Sequence, residues 1–284
     1  MMKTLLAVVA DGSAAPVLEG ALLAARPFGG CIVGLNALTT EYAVVFGGEM
    51  GFSVSSEVDR TLEREGQDRR EQARTLFQAV MRRNGVEITA AGAPPTPGLR
   101  VEWREETGRQ NAVVGSLGRV FDLIVVERPA KLASLAEATL EDALFESGRP
   151  VLMIPPQAPT TLGENILIAW NGSTETARTV GFAMPFLECA KRIQVVSVEG
   201  SHVPGPTGEE MAAMLRRIGL SVEARHLTVR NRAAGEVFLS EAKSSGADLV
   251  VKGAYTQSRL RQMIFGGVTR HIIMEAEVPV ILAH

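Results

Sequence analysis

Short apolar runs of four to six residues recur along the chain, separated by longer stretches of mixed polarity. In the first half they are Leu6–Ala10, Ile32–Asn36, Leu99–Trp103, Asp122–Val126 and Val151–Ile154. In the second half they are Ile166–Trp170, Ile193–Val198, Leu220–Ala224, Asp248–Lys252 and Val278–Ala283. Runs that are continuously apolar, rather than alternating, suit strands covered on both faces, which is the condition of a parallel sheet. The intervening segments predict helices, among them 14–26, a highly charged one over 57–84, 174–189 and 209–218. In the charged helix Leu62, Ala73, Leu76, Phe77 and Val80 fall on the side expected to be buried. Alternation of strand and helix implies right-handed βαβ crossovers and an α/β class.

The two sets of strands are copies of one pattern. Leu6-Ala7-Val8-Val9-Ala10-Asp11-Gly12-Ser13 resembles Ile166-Leu167-Ile168-Ala169-Trp170-Asn171-Gly172-Ser173, with 160 positions between Asp11 and Asn171. Each reads as strand, tight turn and helix start: Asp or Asn opens the turn, Gly tolerates positive φ, and Ser13 or Ser173 is placed to cap the helix. The predicted organisation is a first domain over 1–155, a proline-rich linker over 156–164 and a second domain over 165–284. Each is expected to be an open, doubly wound, five-stranded parallel sheet.

Composition narrows the function classes. Hydrophobic residues make up 46% of the 284 and charged ones 21%, which supports a globular core. A net charge of −3 supplies no general field for nucleic acid, so any anion site must be local. No apolar stretch reaches the roughly 20 residues that span a bilayer. The apolar start, broken by Asp11, reads as a first strand rather than a leader, and the expectation is a soluble, cytoplasmic protein without a membrane partner. Cys31 and Cys189 lack metal or redox spacing and are expected to be buried free thiols. The four histidines show no ligand spacing, so no metal is assigned.

One local bias stands out near the C-terminus. From Lys252 to Met274 there are four basic side chains, Lys252, Arg259, Arg261 and Arg270, and no acid. The strand Leu249-Val250-Val251 leads into Lys252-Gly253-Ala254-Tyr255-Thr256, and after nine more residues Gly266-Gly267-Val268-Thr269 opens the final helix. Paired glycines in a helix interior would cost roughly 1 kcal/mol each, so they mark a helix start. Its free N–H groups and dipole favour a phosphate, with the Thr269 hydroxyl beside it. The first half has no such cradle: the stretch after Val126 carries Glu127, Glu137, Glu141, Asp142 and Glu146, without a glycine pair. One anion site is therefore expected, in the second half, at the carboxyl ends of the strands. No hydrolase elbow or His–acid pair flanks Ser13 or Ser173, and no catalytic residue is assigned.

These residues resemble the universal stress protein family in its tandem two-domain form, over nearly the whole chain. The family's nucleotide-binding members carry Gly, two residues, Gly, nine residues, Gly, Ser or Thr, then Val. Here Gly253 and Gly266 match, Thr256 stands at the second glycine and Gly267 at the hydroxyl residue. The resemblance implies strand order 3-2-1-4-5 and an ATP or other adenine-nucleotide cofactor, with or without Mg²⁺. Its contacts would be Ala169, Trp170, Asn171 and Val198 around adenine, and Gly253, Thr256, Gly266, Gly267, Val268 and Thr269 around phosphate. Asn171 stands where the family commonly has Asp. The resemblance also implies that the last strands of the two halves meet about a pseudo-twofold, an intramolecular pseudo-dimer, with homodimerisation left open. Two functions follow: a nucleotide-binding stress or signalling regulator with unknown protein partners, or a ligand-free interaction module.

Overall fold

The computed structural model describes residues 2–38, 56–92, 97–254 and 267–284, and only the main chain at 38 and 56–63. The expectations for Leu62, Thr256, Arg259, Arg261 and Gly266 fall outside what is described. The first half runs β1 (Thr4–Val8), α1 (Ala15–Ala25), β2 (Cys31–Leu38), α2 (Ser56–Arg83), β3 (Arg100–Thr107), α3 (Gln110–Leu117), β4 (Leu123–Glu127), α4 (Leu135–Glu146) and β5 (Val151–Ile154). The second runs β6 (Asn165–Ala169), α5 (Thr174–Leu187), β7 (Arg192–Val198), α6 (Gly208–Arg217), β8 (Val222–Leu227), α7 (Ala234–Ser245), β9 (Leu249–Gly253), α8 (Gly267–Glu275) and β10 (Val280–Ala283).

All ten strands form one sheet, ordered β3-β2-β1-β4-β5-β10-β9-β6-β7-β8. Each half has the order 3-2-1-4-5 expected of it. The halves join edge to edge where β5 and β10 pair antiparallel, with Val280 opposite Met153, Ile281 opposite Leu152 and Leu282 opposite Val151. This pairing removes two of the four edges that separate sheets would present, edges that otherwise invite association. The two that remain, β3 and β8, carry charge along the strand: β3 has Arg100, Glu102, Arg104, Glu105 and Glu106, and β8 has Glu223 and Arg225.

One face of the sheet packs against α1, α2 and α5 through Leu18, Leu22, Phe77 and Phe186, and its apolar cluster is continuous across the junction of the halves. Phe28, just after α1, meets Phe186 of α5 edge to face at 5.5 Å between centroids. The other face packs through Val114, Leu140, Phe238 and Ile272. Each fully buried side chain of this size contributes about 1.5–3 kcal/mol of transfer free energy. In α2, Ala73, Phe77 and Val80 are buried as expected, whereas Leu76 is half-buried at the edge of the cluster.

The amino ends of the strands are clamped twice in the same way. The Asp122 carboxylate accepts from Lys3 N at 2.7 Å, Thr4 N at 2.9 Å and Thr4 Oγ1 at 3.1 Å. Asp248 accepts from Gly163 N, Glu164 N and Asn165 N at 3.1, 3.2 and 2.9 Å. Both acids therefore tie β4 or β9 to the start of β1 or β6, at the end of the sheet opposite the expected phosphate site. One thiol departs from expectation: Cys31 is buried, but Cys189 is exposed, because α5 ends at Leu187 and the chain turns outward there.

Candidate functional site at the carboxyl end of the second sheet

Ala169, Val198 and Gly253 end β6, β7 and β9, three neighbouring strands, and all three are buried. Trp170 and Asn171 follow β6 directly. Helix α8 begins at Gly267 with no acid in its first turn. Because α8 must run back to the start of β10, its amino end lies on the same side of the sheet as Gly253. Gly267 is exposed, Val268 half-buried and Thr269 buried.

The turn after β6 is built by its own side chains. Asn171 Oδ1 accepts from Ser173 N at 3.2 Å and from Thr176 Oγ1 at 2.6 Å. Ser173 is the N-cap of α5, its Oγ accepting from Thr176 N. Gly172 supplies the positive φ of +80° that this tight turn needs. Thr176 then sits against the end of β9: a Cβ on Gly253 would lie 2.4 Å from Thr176 N and 2.7 Å from Glu175 C, both main-chain atoms. Gly253 is thus the residue that lets the first turn of α5 close onto the strand end. Sequence reasoning had placed it only as a frame for phosphate.

Trp170 is 3% exposed and donates its indole N–H to Pro206 O at 2.8 Å. The chain between β7 and α6 lies over this corner, with Val203 N donating to Asn171 O at 2.9 Å. Trp170 and Asn171 are therefore held in the scaffold of the strand end, the indole filling the interior rather than offering an open ring face.

Lys252 is absent from the set of site residues that sequence reasoning assembled. It is 3% exposed at the end of β9, and its Nζ donates to Gly253 O at 2.9 Å. Burial pushes its amine down to about 8, against a smaller upward pull from Glu175. The signal was present as a lone cation in an apolar strand, but a lysine at a strand end is usually solvated.

The corresponding end of the first half is built differently. Strand pairing makes Val9 equivalent to Trp170, since Val9 N bonds Leu35 O as Trp170 N bonds Val196 O. Helix α1, however, has Ala14 rather than Ser13 as N-cap, with no side-chain cap. The matched triplets are therefore not superposed, and the first turn is two residues longer. This corrects the expectation for Ser13: its N–H and Oγ both go to Asp11 Oδ1, at 2.7 and 2.6 Å. Pro16 falls in the first turn of α1, where its missing N–H costs no helical hydrogen bond. Glu127 occupies the place of Gly253, as Arg128 N bonds Ile154 O where Ala254 N bonds Ala283 O. Burial raises the Glu127 carboxyl above its usual range, and Asp11 adds to this. Helix α4 is capped by its own groups: Ser134 Oγ accepts from Glu137 N at 3.2 Å, and Glu137 accepts from Ala133 N. Among the described residues no group of three or more His, Cys, Asp or Glu is arranged to hold a metal, and no helix is long and apolar enough to cross a membrane.

The twice-repeated 3-2-1-4-5 sheet, with its open carboxyl edge, defines a tandem doubly wound α/β protein. Residues 164–284 match the model of the universal stress protein family. The chain is 23% identical over 175 residues to the universal stress protein Slr1230 of Synechocystis, an overlap spanning 57% of each protein. A universal stress protein of Archaeoglobus fulgidus DSM 4304 has the same fold over 99% of this chain and 95% of its own, at 13% identity and a TM-score of 0.67. A functionally unknown protein of Pseudomonas aeruginosa PAO1 covers 99% of this chain with 92% of its own, at 17% identity and a TM-score of 0.54. The second half of the chain is thus similar to the universal stress protein family, and the whole chain shares the fold of such proteins.

Proposed function

We propose that this protein binds one adenine nucleotide, ATP or a relative of it, at the carboxyl end of the second half, and acts as a stress or signalling regulator whose partner surface depends on that ligand. The observation that carries this reading is the contrast between equivalent strand ends. The second half combines a buried lysine at the end of β9 with a helix that opens on Gly267 and has no acid in its first turn. The first half has Glu127 and Asp11 at that end and a helix start already satisfied by Ser134 and Glu137. A phosphate is attracted to free N–H groups and a cation, and repelled by carboxylates. Among the described residues, the Thr269 hydroxyl and the Lys252 amine are the side chains offered to it. Mg²⁺, if it accompanies the nucleotide, would be held through phosphate oxygens and water.

The chain segment over Asn171 and Gly172, with Trp170 buried beneath it, favours a second reading: a ligand-free interaction module in which the strand end is closed by protein. Titration calorimetry with ATP and Mg²⁺ separates the two. Gly267→Val is the diagnostic variant, because among the described residues a Cβ there meets nothing within 4 Å and the fold should be kept. The nucleotide reading expects saturable heat from the wild type and at least about a tenfold loss in Gly267→Val. No heat from the wild type, together with no thermal shift, supports the closed module.

A further inference from the structure

Away from the strand-end site, a cavity of about 590 Å³ lies where the amino end of the first half meets helix α5. Its apolar lining comes from Met2, Phe28, Phe182, Met184 and Pro185. Ligand sites of small molecules commonly have this size, an apolar lining with few polar groups, and a position between domains. Thioether and aromatic groups together suit a flat aromatic guest, since polarizable sulfur packs well against ring edges.

Polar groups of both charge signs also line the cavity, and Arg149 is the cation among them. Arg149 lines the cavity with its Nε and Nη2 already given to Arg119 O, at 3.1 and 2.8 Å, which fixes the guanidinium and leaves Nη1 to donate. Gly181 can line the cavity only with main-chain atoms, and its carbonyl has lost its helical donor because Pro185, four residues on, has no N–H. Asp122 is also in the wall. Burial works to raise its carboxyl, but the hydrogen bonds from Lys3 and Thr4 and the nearby Arg149 outweigh that and hold it below the usual carboxylate range. Glu188 and the exposed Cys189 complete the lining.

We infer that this cavity is a second ligand site, independent of the nucleotide reading, for a flat aromatic molecule of two or three rings carrying one acidic group directed at Arg149. The probe is the fluorescent dye 8-anilinonaphthalene-1-sulfonate, with N-phenyl-1-naphthylamine as its analogue without the sulfonate, added to the full chain. The dye is expected to bind one per chain, more tightly than the uncharged analogue, and without displacement by ATP. It should also slow the reaction of a disulfide thiol reagent with Cys189. That reaction reads one site, because Cys31 is buried and its thiol is pushed up to about 11.

Gly181→Leu is the test variant. A Cβ at residue 181 meets nothing within 4 Å, and leucine favours the helix, so the fold should hold while the side chain fills the cavity. Dye affinity should fall at least about tenfold in Gly181→Leu, and Arg149→Gln should remove the preference for the sulfonate. Dye binding unchanged in Gly181→Leu, displacement by ATP, or unaltered thiol reactivity of Cys189 would each overturn the assignment.

Discussion

The two halves share one fold and differ most at the carboxyl ends of their central strands. In the second half a short turn brings α5 onto Gly253 so closely that a side chain there has no room. In the first half the turn is two residues longer, and Glu127 stands at the equivalent place with Asp11 beside it. Turn length and side-chain size have changed together, and the sign of the charge has changed with them. A fold built twice can thus keep its sheet while its two strand ends differ in turn length, side-chain size and charge.

Exchanging the paired residues gives the largest expected effect. Gly253→Glu sets a Cβ against the main chain of Glu175 and Thr176, which cannot move as a flexible side chain would. It should destabilise by about 3 kcal/mol, the upper end of overpacking costs. Thermal unfolding should drop by about 10 °C. The reverse change, Glu127→Gly, should cost under about 1 kcal/mol. Equal losses from the two changes would mean that the strand ends are not built differently.

The turn serines sharpen the contrast at a smaller scale. Ser173 caps α5, so Ser173→Ala should cost about 1 kcal/mol in denaturant unfolding. Ser13 bonds only Asp11 within its turn, and Ser13→Ala should cost less than about half of that. A smaller effect still is expected from Glu127→Gln. The folded protein holds the Glu127 proton more tightly than the unfolded chain does, so stability falls as pH rises from about 4.5 through the raised folded value. At pH 7 Glu127→Gln should therefore melt slightly higher than the wild type, and near pH 4 the difference should vanish. A gain that persists at pH 4 would place its cause elsewhere.

The sheet was legible because its physics is local and repeated: ten apolar runs and two parallel copies, with β5 meeting β10 as the resemblance implied. The turns were less so. Asp11-Gly12-Ser13 and Asn171-Gly172-Ser173 look alike, but which serine caps is decided by where the helix starts, and α1 starts after Ala14 whereas α5 starts directly after Ser173. The part played by Gly253 depends on Thr176, 77 positions away in the chain, which periodicity cannot convey. Lys252 was visible as a charge, whereas its burial depends on how the strand end is packed. Trp170 and Asn171 were placed at the correct strand end, but their hydrogen bonds to Pro206 and Thr176 are tertiary facts.

The central claim is a single anion site in the second half, served by Lys252. Calorimetric titration of the full chain with ATP and Mg²⁺ at pH 8, in two buffers of different ionisation enthalpy, tests it most directly. Burial lowers the Lys252 amine towards that pH. A phosphate beside it would draw in a proton, so the expected result is one nucleotide per chain with net proton uptake that is lost in Lys252→Met. Two nucleotides per chain, binding without proton uptake, or no binding would contradict the claim.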